Sequence, residues 1–124
     1  MIRAALFVGL LVALVACRSE ERRSAEAVLG AIERLRDADE TQRKTAVAAV
    51  EATTSPAPEA EAARRACIDA YRALGETQRL VHEAKGPPID RAKLDLAQAE
   101  LAKARTGIEL CSRATVALRR ALGR

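Results

Sequence analysis

The chain has few of the residue types on which most catalytic sites and nucleic-acid interfaces depend. Its 124 residues include no tryptophan and no asparagine, and only one histidine, one tyrosine and one phenylalanine. A single histidine beside three cysteines leaves few ways to build a His-rich metal site. Aromatic rings that stack on bases are missing, and so are a glycine-rich phosphate loop and a Ser/His/Asp set. We therefore expect no enzyme activity, no metal and no nucleic-acid partner.

The charge of the chain is positive but dispersed. There are 21 basic and 17 acidic residues, which gives a formal net charge of +4. A basic protein can bind anionic polymers or membrane surfaces, yet here the signs alternate and no basic run exceeds two residues. The pattern favours solvated helix faces over a dedicated site for a polyanion.

The N-terminus has the organisation of an export signal. The short positive segment Met1-Ile2-Arg3 is followed by residues 4–16, which are apolar throughout. This apolar run is shorter than the ~20 residues that span a bilayer, and its length suits the core of a signal peptide. The run ends in Leu14-Val15-Ala16-Cys17.

These four residues resemble the lipobox of bacterial lipoproteins, which has an aliphatic residue three positions before an obligatory cysteine and small residues nearer the cut. The resemblance covers this segment alone. It implies that residues 1–16 are a cleaved signal peptide and that the Cys17 thiol carries a diacylglycerol, often with a fatty acyl group on the new amine. Residues 17–24 are then a lipidated N-terminus and short tether, and residues 25–124 form the folded domain. The alternative is an ordinary signal peptide or uncleaved anchor with an incidental cysteine.

The same resemblance places the protein in the bacterial cell envelope, with the lipid bilayer as its first partner. Two or more acyl chains hold a protein stably on a membrane, whereas one holds it marginally. Arg18 follows Cys17, and the absence of an aspartate there favours the outer membrane, facing the periplasm, over the inner membrane. No cofactor is expected apart from the covalent lipid.

The rest of the chain predicts an all-α fold. It consists almost entirely of strong helix formers, and the whole sequence holds 28 alanines. Breaks occur at residues 53–58 and at Gly86-Pro87-Pro88. We therefore predict an antiparallel three-helix bundle with helices at about 20–52, 59–85 and 90–122. The apolar stripe of the first helix lapses near residues 37–44, where a bend, or a separate segment capped by Asp39, is the alternative.

The second and third helices carry apolar residues at alternating steps of three and four, which predicts a coiled-coil-like hairpin. Pairing residues whose numbers sum to 178 places Ala70 opposite Ile108, and Cys67 opposite Cys111. With Cys17 lipidated, these two cysteines remain in an oxidising compartment, so we predict a Cys67–Cys111 disulfide. Two buried free thiols are the alternative. The first helix is expected on the flank of small apolar residues: Ala66, Ala73, Leu80, Gly107, Ala114 and Ala121.

The predicted function is that of a membrane-anchored structural or protein-binding module. Tyr71 lies on the polar flank of the hairpin and is a possible partner contact, because exposed tyrosines are frequent in interfaces; the partner is expected to be an envelope protein. The organisation is similar to that of small alanine-rich lipoproteins of the murein-lipoprotein type. Those end in a lysine that bonds to peptidoglycan, whereas this chain ends in Leu122-Gly123-Arg124. The alternative function is a periplasmic helical chaperone or stress-sensor-like protein.

Overall fold

The structure is a computed structural model that describes residues 2–124, with side chains described from residue 17 onward. It contains α1 (Ile2–Asp37), α2 (Glu40–Ala52), α3 (Pro58–Ala84) and α4 (Arg91–Ala121), and no strand within the described range. The predicted all-α fold is confirmed. The predicted signal peptide falls on residues 1–16 and lies outside the part of the chain whose side chains are described.

The prediction of three helices is wrong, because the first predicted helix is divided at Ala38 and Asp39. The Asp39 carboxylate accepts a hydrogen bond from the Gln42 backbone N–H at 2.9 Å, and the Gln42 side chain accepts one from the Asp39 N–H at 3.4 Å. This reciprocal capping box starts a new helix, because it satisfies backbone groups that a continuous helix would use. The alternative of a separate segment capped by Asp39 is therefore confirmed.

Helices α3 and α4 form the predicted antiparallel hairpin. The turn ends at Asp90, whose carboxylate accepts from the Lys93 N–H at 3.1 Å and so caps α4. Cys67 and Cys111 form a disulfide with their Cα atoms 4.6 Å apart, which confirms the predicted bridge. The seam is made mainly of small buried residues: Ala60, Ala63, Ala70, Thr77, Ala84, Ala97, Ala104 and Thr115.

The main core lies at one end of the hairpin, where α1 and α2 pack against it. Its largest fully buried side chains come mainly from α1 and α2: Leu29, Ile32, Leu35, Val28 and Val50. Thr77, Leu80, Ala84, Ala97 and Ala104 are buried but lie outside this core cluster. The half of the hairpin nearer its turn is therefore held together mainly by contacts between α3 and α4 themselves.

The first helix was expected on the flank of small apolar residues; Ala121 does lie beside the start of α1 and Ala114 packs against the core, but the other contacts of the first predicted helix fall on the opposite flank. The guanidinium of Arg64 donates to the Val50 and Glu51 carbonyls of α2, and the guanidinium of Arg119 contacts Glu33 of α1. These contacts place α2, and α1 at Glu33, on the polar flank. The physical reason is that long basic side chains bury their apolar stems while their charged ends satisfy carbonyls and carboxylates. Ile68, which is 6% exposed, adds apolar area beside them.

Candidate functional site: the cysteine of α1 and the groove at Tyr71

Cys17 is exposed on α1 and carries a free thiol. The residues that follow it, from Arg18 to Arg23, are also exposed, and the first buried side chain is that of Ala25. At 1.5 Å per residue, Ala25 lies about 12 Å along the helix from Cys17. The Cys17 sulfur is therefore accessible and stands close to the folded body.

Cys17 lies at the end of the bundle where other chain segments also end. Arg22 donates to the Leu122 carbonyl at 2.8 Å, beyond the last turn of α4, and the Ser24 and Ser55 hydroxyls are 2.7 Å apart. The C-terminus of α4 and the linker before α3 therefore lie near the start of the described side chains. The α3–α4 turn, with Ile89 exposed, is at the opposite end of the hairpin.

Neither a membrane span nor a metal-binding cluster is found in the part of the chain that the structure describes. None of its helices combines the length and the hydropathy needed to cross a bilayer. No group of three or more histidine, cysteine, aspartate or glutamate side chains within the described residues is arranged to hold a metal ion.

An open groove runs between α2 and α3 and has a volume of about 560 Å³. Tyr71 lines it, is half-buried and packs against the core. The other lining residues are mixed in character: Glu40, Arg43, Lys44, Val47, Ala48, Glu51, Arg72, Gly75, Glu76, Gln78 and Arg79. Its size lies within the range of ligand pockets, and the charged side chains along it resemble the rim of a protein interface.

Polar contacts between α2 and α3 hold the walls of this groove in place. The Arg72 guanidinium is 2.7 Å from the Glu51 carboxylate, and Arg43 donates to the Gln78 side-chain oxygen at 2.9 Å. The Nε of Arg43 is buried and has no hydrogen-bond partner among the described residues. These contacts fix the spacing between the two helices that form the groove.

Glu76 and Arg79 line one end of the groove, and Glu83 lies one helical turn beyond Arg79. Arg79 donates to both Glu76 and Glu83, and these hydrogen bonds lower the pKa of each carboxyl group. The same contacts raise the pKa of Arg79. A carboxylate with a lowered pKa is poorly suited to donate a proton near neutral pH. These charged side chains are therefore better suited to pair with charges on a partner than to act as general acids.

The structure keeps the predicted site residues apart. Cys17 is near the start of the described side chains on α1, Tyr71 is in the middle of α3, and Cys67 and Cys111 are joined inside the seam. Sequence reasoning missed the groove, because it assigned α1 and α2 to the wrong flank. The available signal was the seven-residue spacing of Arg64, Tyr71 and Gln78, the flank that contacts α2.

Comparison with protein-family models, with curated proteins and with solved structures gave no match for this chain.

Proposed function

We propose that the chain is a lipid-anchored lipoprotein of the bacterial cell envelope whose helical bundle acts as a structural or protein-binding module. The observation that carries the proposal is that two of the three cysteines form a disulfide and the third, at the lipobox position, does not. Cys67 and Cys111 are joined in a disulfide, which suits an oxidising compartment. Cys17 stays free and exposed, at the lipobox position. The lipobox supplies the reason for a cysteine there, because lipidation needs an accessible thiol.

The fold supports a definite orientation on a membrane. With the lipid on Cys17, the end of the bundle that holds the α4 C-terminus faces the bilayer. Helix α3 has 27 residues and so extends about 40 Å. The α3–α4 turn is then the part of the hairpin most distant from the membrane. Arg18, in place of an aspartate, favours the outer membrane facing the periplasm.

The groove at Tyr71 is the surface we assign to an envelope protein partner. A half-buried tyrosine supplies a rigid contact area at low entropic cost, and arginine is frequent in interface hot spots. Arg43, Arg72 and Arg79 surround it, interleaved with Glu40 and Glu76. Walls of both signs favour a protein surface of complementary charge over a uniformly anionic polymer.

The anchor is tested by replacing Cys17 with serine in the full chain and expressing it in a bacterial host with a labelled fatty acid. The expected result is loss of label and release of the protein from membranes. The matched control is the double replacement of Cys67 and Cys111 by alanine, which keeps both the label and the membrane location. Labelling that persists in the Cys17 variant contradicts the lipoprotein assignment.

The groove is tested with a photo-crosslinking amino acid at position 71, in cells. Gly75 lines the groove, is exposed, and a Cβ added there meets no atom within 4 Å, so we expect Gly75→Arg to narrow the groove while the helices keep their packing. The expected result is a crosslinked envelope protein whose yield falls at least about tenfold with Gly75→Arg. Ala102→Arg, at an exposed position of α4 outside the groove, is the control and leaves the yield unchanged. Equal yields in both variants contradict this assignment.

A periplasmic chaperone remains the second candidate, since α4 exposes Leu96 and Leu110, which are 58% and 52% exposed. A holdase needs exposed apolar surface to hold unfolded clients. The deciding assay is suppression of aggregation of a heated client protein by the purified full chain. Suppression that is lost in a Leu96→Arg, Leu110→Arg variant supports the chaperone, and no suppression at a tenfold molar excess removes it.

A further inference from the structure

Helix α1 continues without a break from the lipobox cysteine into the core of the bundle. Residues 17–24 all lie within α1, and the first buried side chain is that of Ala25. In a helix the seven steps from Cys17 to Ser24 cover about 10 Å, whereas an extended chain of the same length reaches up to about 25 Å. The backbone between the proposed lipid and the core is therefore short and has a fixed direction.

Two hydrogen bonds tie this segment to other parts of the bundle. The Arg22 guanidinium donates to the Leu122 carbonyl at 2.8 Å, and the Ser24 and Ser55 hydroxyls are 2.7 Å apart. A charged donor makes a stronger hydrogen bond than a neutral one, and carbonyls at a helix C-terminus lack partners within the helix. The two contacts hold the segment against the end of α4 and against the linker before α3.

The segment also lies beside the bundle over most of its length. Arg18 and Glu21 border the same cleft as Leu118 and Leu122 at the end of α4. Among the side chains that the structure describes, only that of Cys17 precedes these contacts. The lipid would therefore be attached next to the folded body.

The charges at the start of the mature chain favour a helix that begins there. Acylation of the Cys17 amine removes a positive charge, which would oppose the positive end of the helix macrodipole. Glu20 and Glu21 then lie in the first turn, where carboxylates are favourable, and they outnumber Arg18. These residues support a helix that starts at Cys17 once residues 1–16 are removed.

We propose that residues 18–24 form a rigid helical strut, which holds the bundle upright on the membrane with the α3–α4 turn pointing away from the lipid headgroups. This inference rests on the proposed lipid anchor and adds that the anchor fixes the height and orientation of the bundle. Tyr71 lies about 20 Å along α3 from Pro58, the end of the hairpin that faces the bilayer. A partner of the groove must then reach it at a set distance from the membrane.

The test uses the lipidated protein, purified from bacterial membranes and reconstituted into vesicles of neutral lipid that contain an acceptor-labelled lipid. The donor is a fluorescent amino acid at position 89, in the turn, where the native Ile89 is 66% exposed. The expected result is weak energy transfer to the vesicle surface, because the strut keeps the turn away from the bilayer.

Replacement of Ser19, Glu20 and Glu21 by glycine converts the strut into a flexible linker, since glycine-rich segments behave as coils. Energy transfer should then rise at least about twofold, because the bundle can tip onto the bilayer. The matched control replaces the same three residues by alanine, which removes the same side chains and keeps the helix. Transfer in this control should stay at the level of the parent chain.

Equal energy transfer in the parent, glycine and alanine chains overturns the strut, and so does a rise of equal size in the two variants. Sedimentation of the vesicles separates this failure from failure of the anchor. A chain that sediments with the vesicles but shows no difference between variants refutes the strut alone. A parent chain that stays in solution refutes the anchor, and the strut with it.

Discussion

Two glycine-to-alanine substitutions in the hairpin are expected to have different effects on stability, because only one of the two positions has room for a Cβ. Gly75 lies in α3, where an added Cβ meets nothing within 4 Å. Alanine favours a helix by about 0.8–1.0 kcal/mol over glycine, so Gly75→Ala stabilises the protein by about that amount. Gly107 lies in α4, where an added Cβ would be 2.9 Å from the Ala70 Cα and 3.0 Å from its Cβ. Neither atom can rotate away, so the helices must separate.

The magnitude at Gly107 is the difference between two terms. Overpacking of a tight contact costs about 1–3 kcal/mol, and the helix-propensity gain of about 1 kcal/mol offsets part of it. The net effect of Gly107→Ala is a destabilisation of up to about 2 kcal/mol, so the two variants differ by about 1–3 kcal/mol. Because the disulfide four residues away keeps the helices close, relaxation at this level is restricted.

Urea unfolding of the oxidised protein, followed by far-ultraviolet circular dichroism, measures both variants against the parent chain. The free energy of unfolding should rise for Gly75→Ala and should fall or stay level for Gly107→Ala. Equal stabilisation by both substitutions would refute the close approach of α3 and α4 at residues 70 and 107. A fall for both would refute the statement that Gly75 faces open space.

Two further predictions concern the disulfide and the cap of α2. Reduction of Cys67–Cys111, which spans a separation of 44 residues, should lower the free energy of unfolding by about 2–4 kcal/mol. Mass analysis after alkylation should find Cys67 and Cys111 modified only in the reduced protein, and modification of both without reductant would contradict the bridge. The Thr41 hydroxyl and then the Gln42 N–H hold the pKa of Asp39 below its usual range. Because this pKa lies below the unfolded value of about 3.9, ionised Asp39 stabilises the folded state above that pH, and the stabilisation is lost as the pH falls through the folded-state pKa. Amide-exchange protection of α2 should therefore fall below about pH 4. Asp39→Asn keeps a capping side chain without this titration, and protection that falls in acid just as steeply in that variant would contradict the assignment.

The hairpin was predictable because local signals and long-range signals agreed there. The Gly-Pro-Pro break set the turn, the three-and-four spacing set the seam, and the pairing register brought Cys67 and Cys111 together. Helix boundaries for α3 and α4 fell within one residue of those expected. The division at Asp39 was also visible in the sequence as a possible capping box. The free energies of a capped break and of a continuous helix differ little, and the residue pattern alone does not show which is lower.

The position of α1 and α2 was not predictable from apolar patterning. Alanines on one flank suggested a docking face, yet α2 packs on the flank of Arg64 and Gln78. Ile68 and the ring of Tyr71 add apolar area there, whereas the alanine flank offers little volume to bury. Hydrophobic burial follows area, so one isoleucine, one tyrosine and several arginine stems outweigh a row of methyl groups. The groove at Tyr71 was missed for the same reason.

The close approach of α3 and α4 also explains why α4 exposes large apolar side chains. The predicted register paired Ala70 with Ile108, but Ala70 faces Gly107 and Ile108 is 37% exposed. A seam whose backbones approach to 4.6 Å between Cα atoms at Cys67 and Cys111 has room mainly for small side chains such as alanine, threonine and cysteine. The apolar area that a wider seam would bury must then lie on the outside of α4, at Ile108 and Leu110. An alanine-rich seam thus reduces the apolar burial that the α3–α4 hairpin achieves.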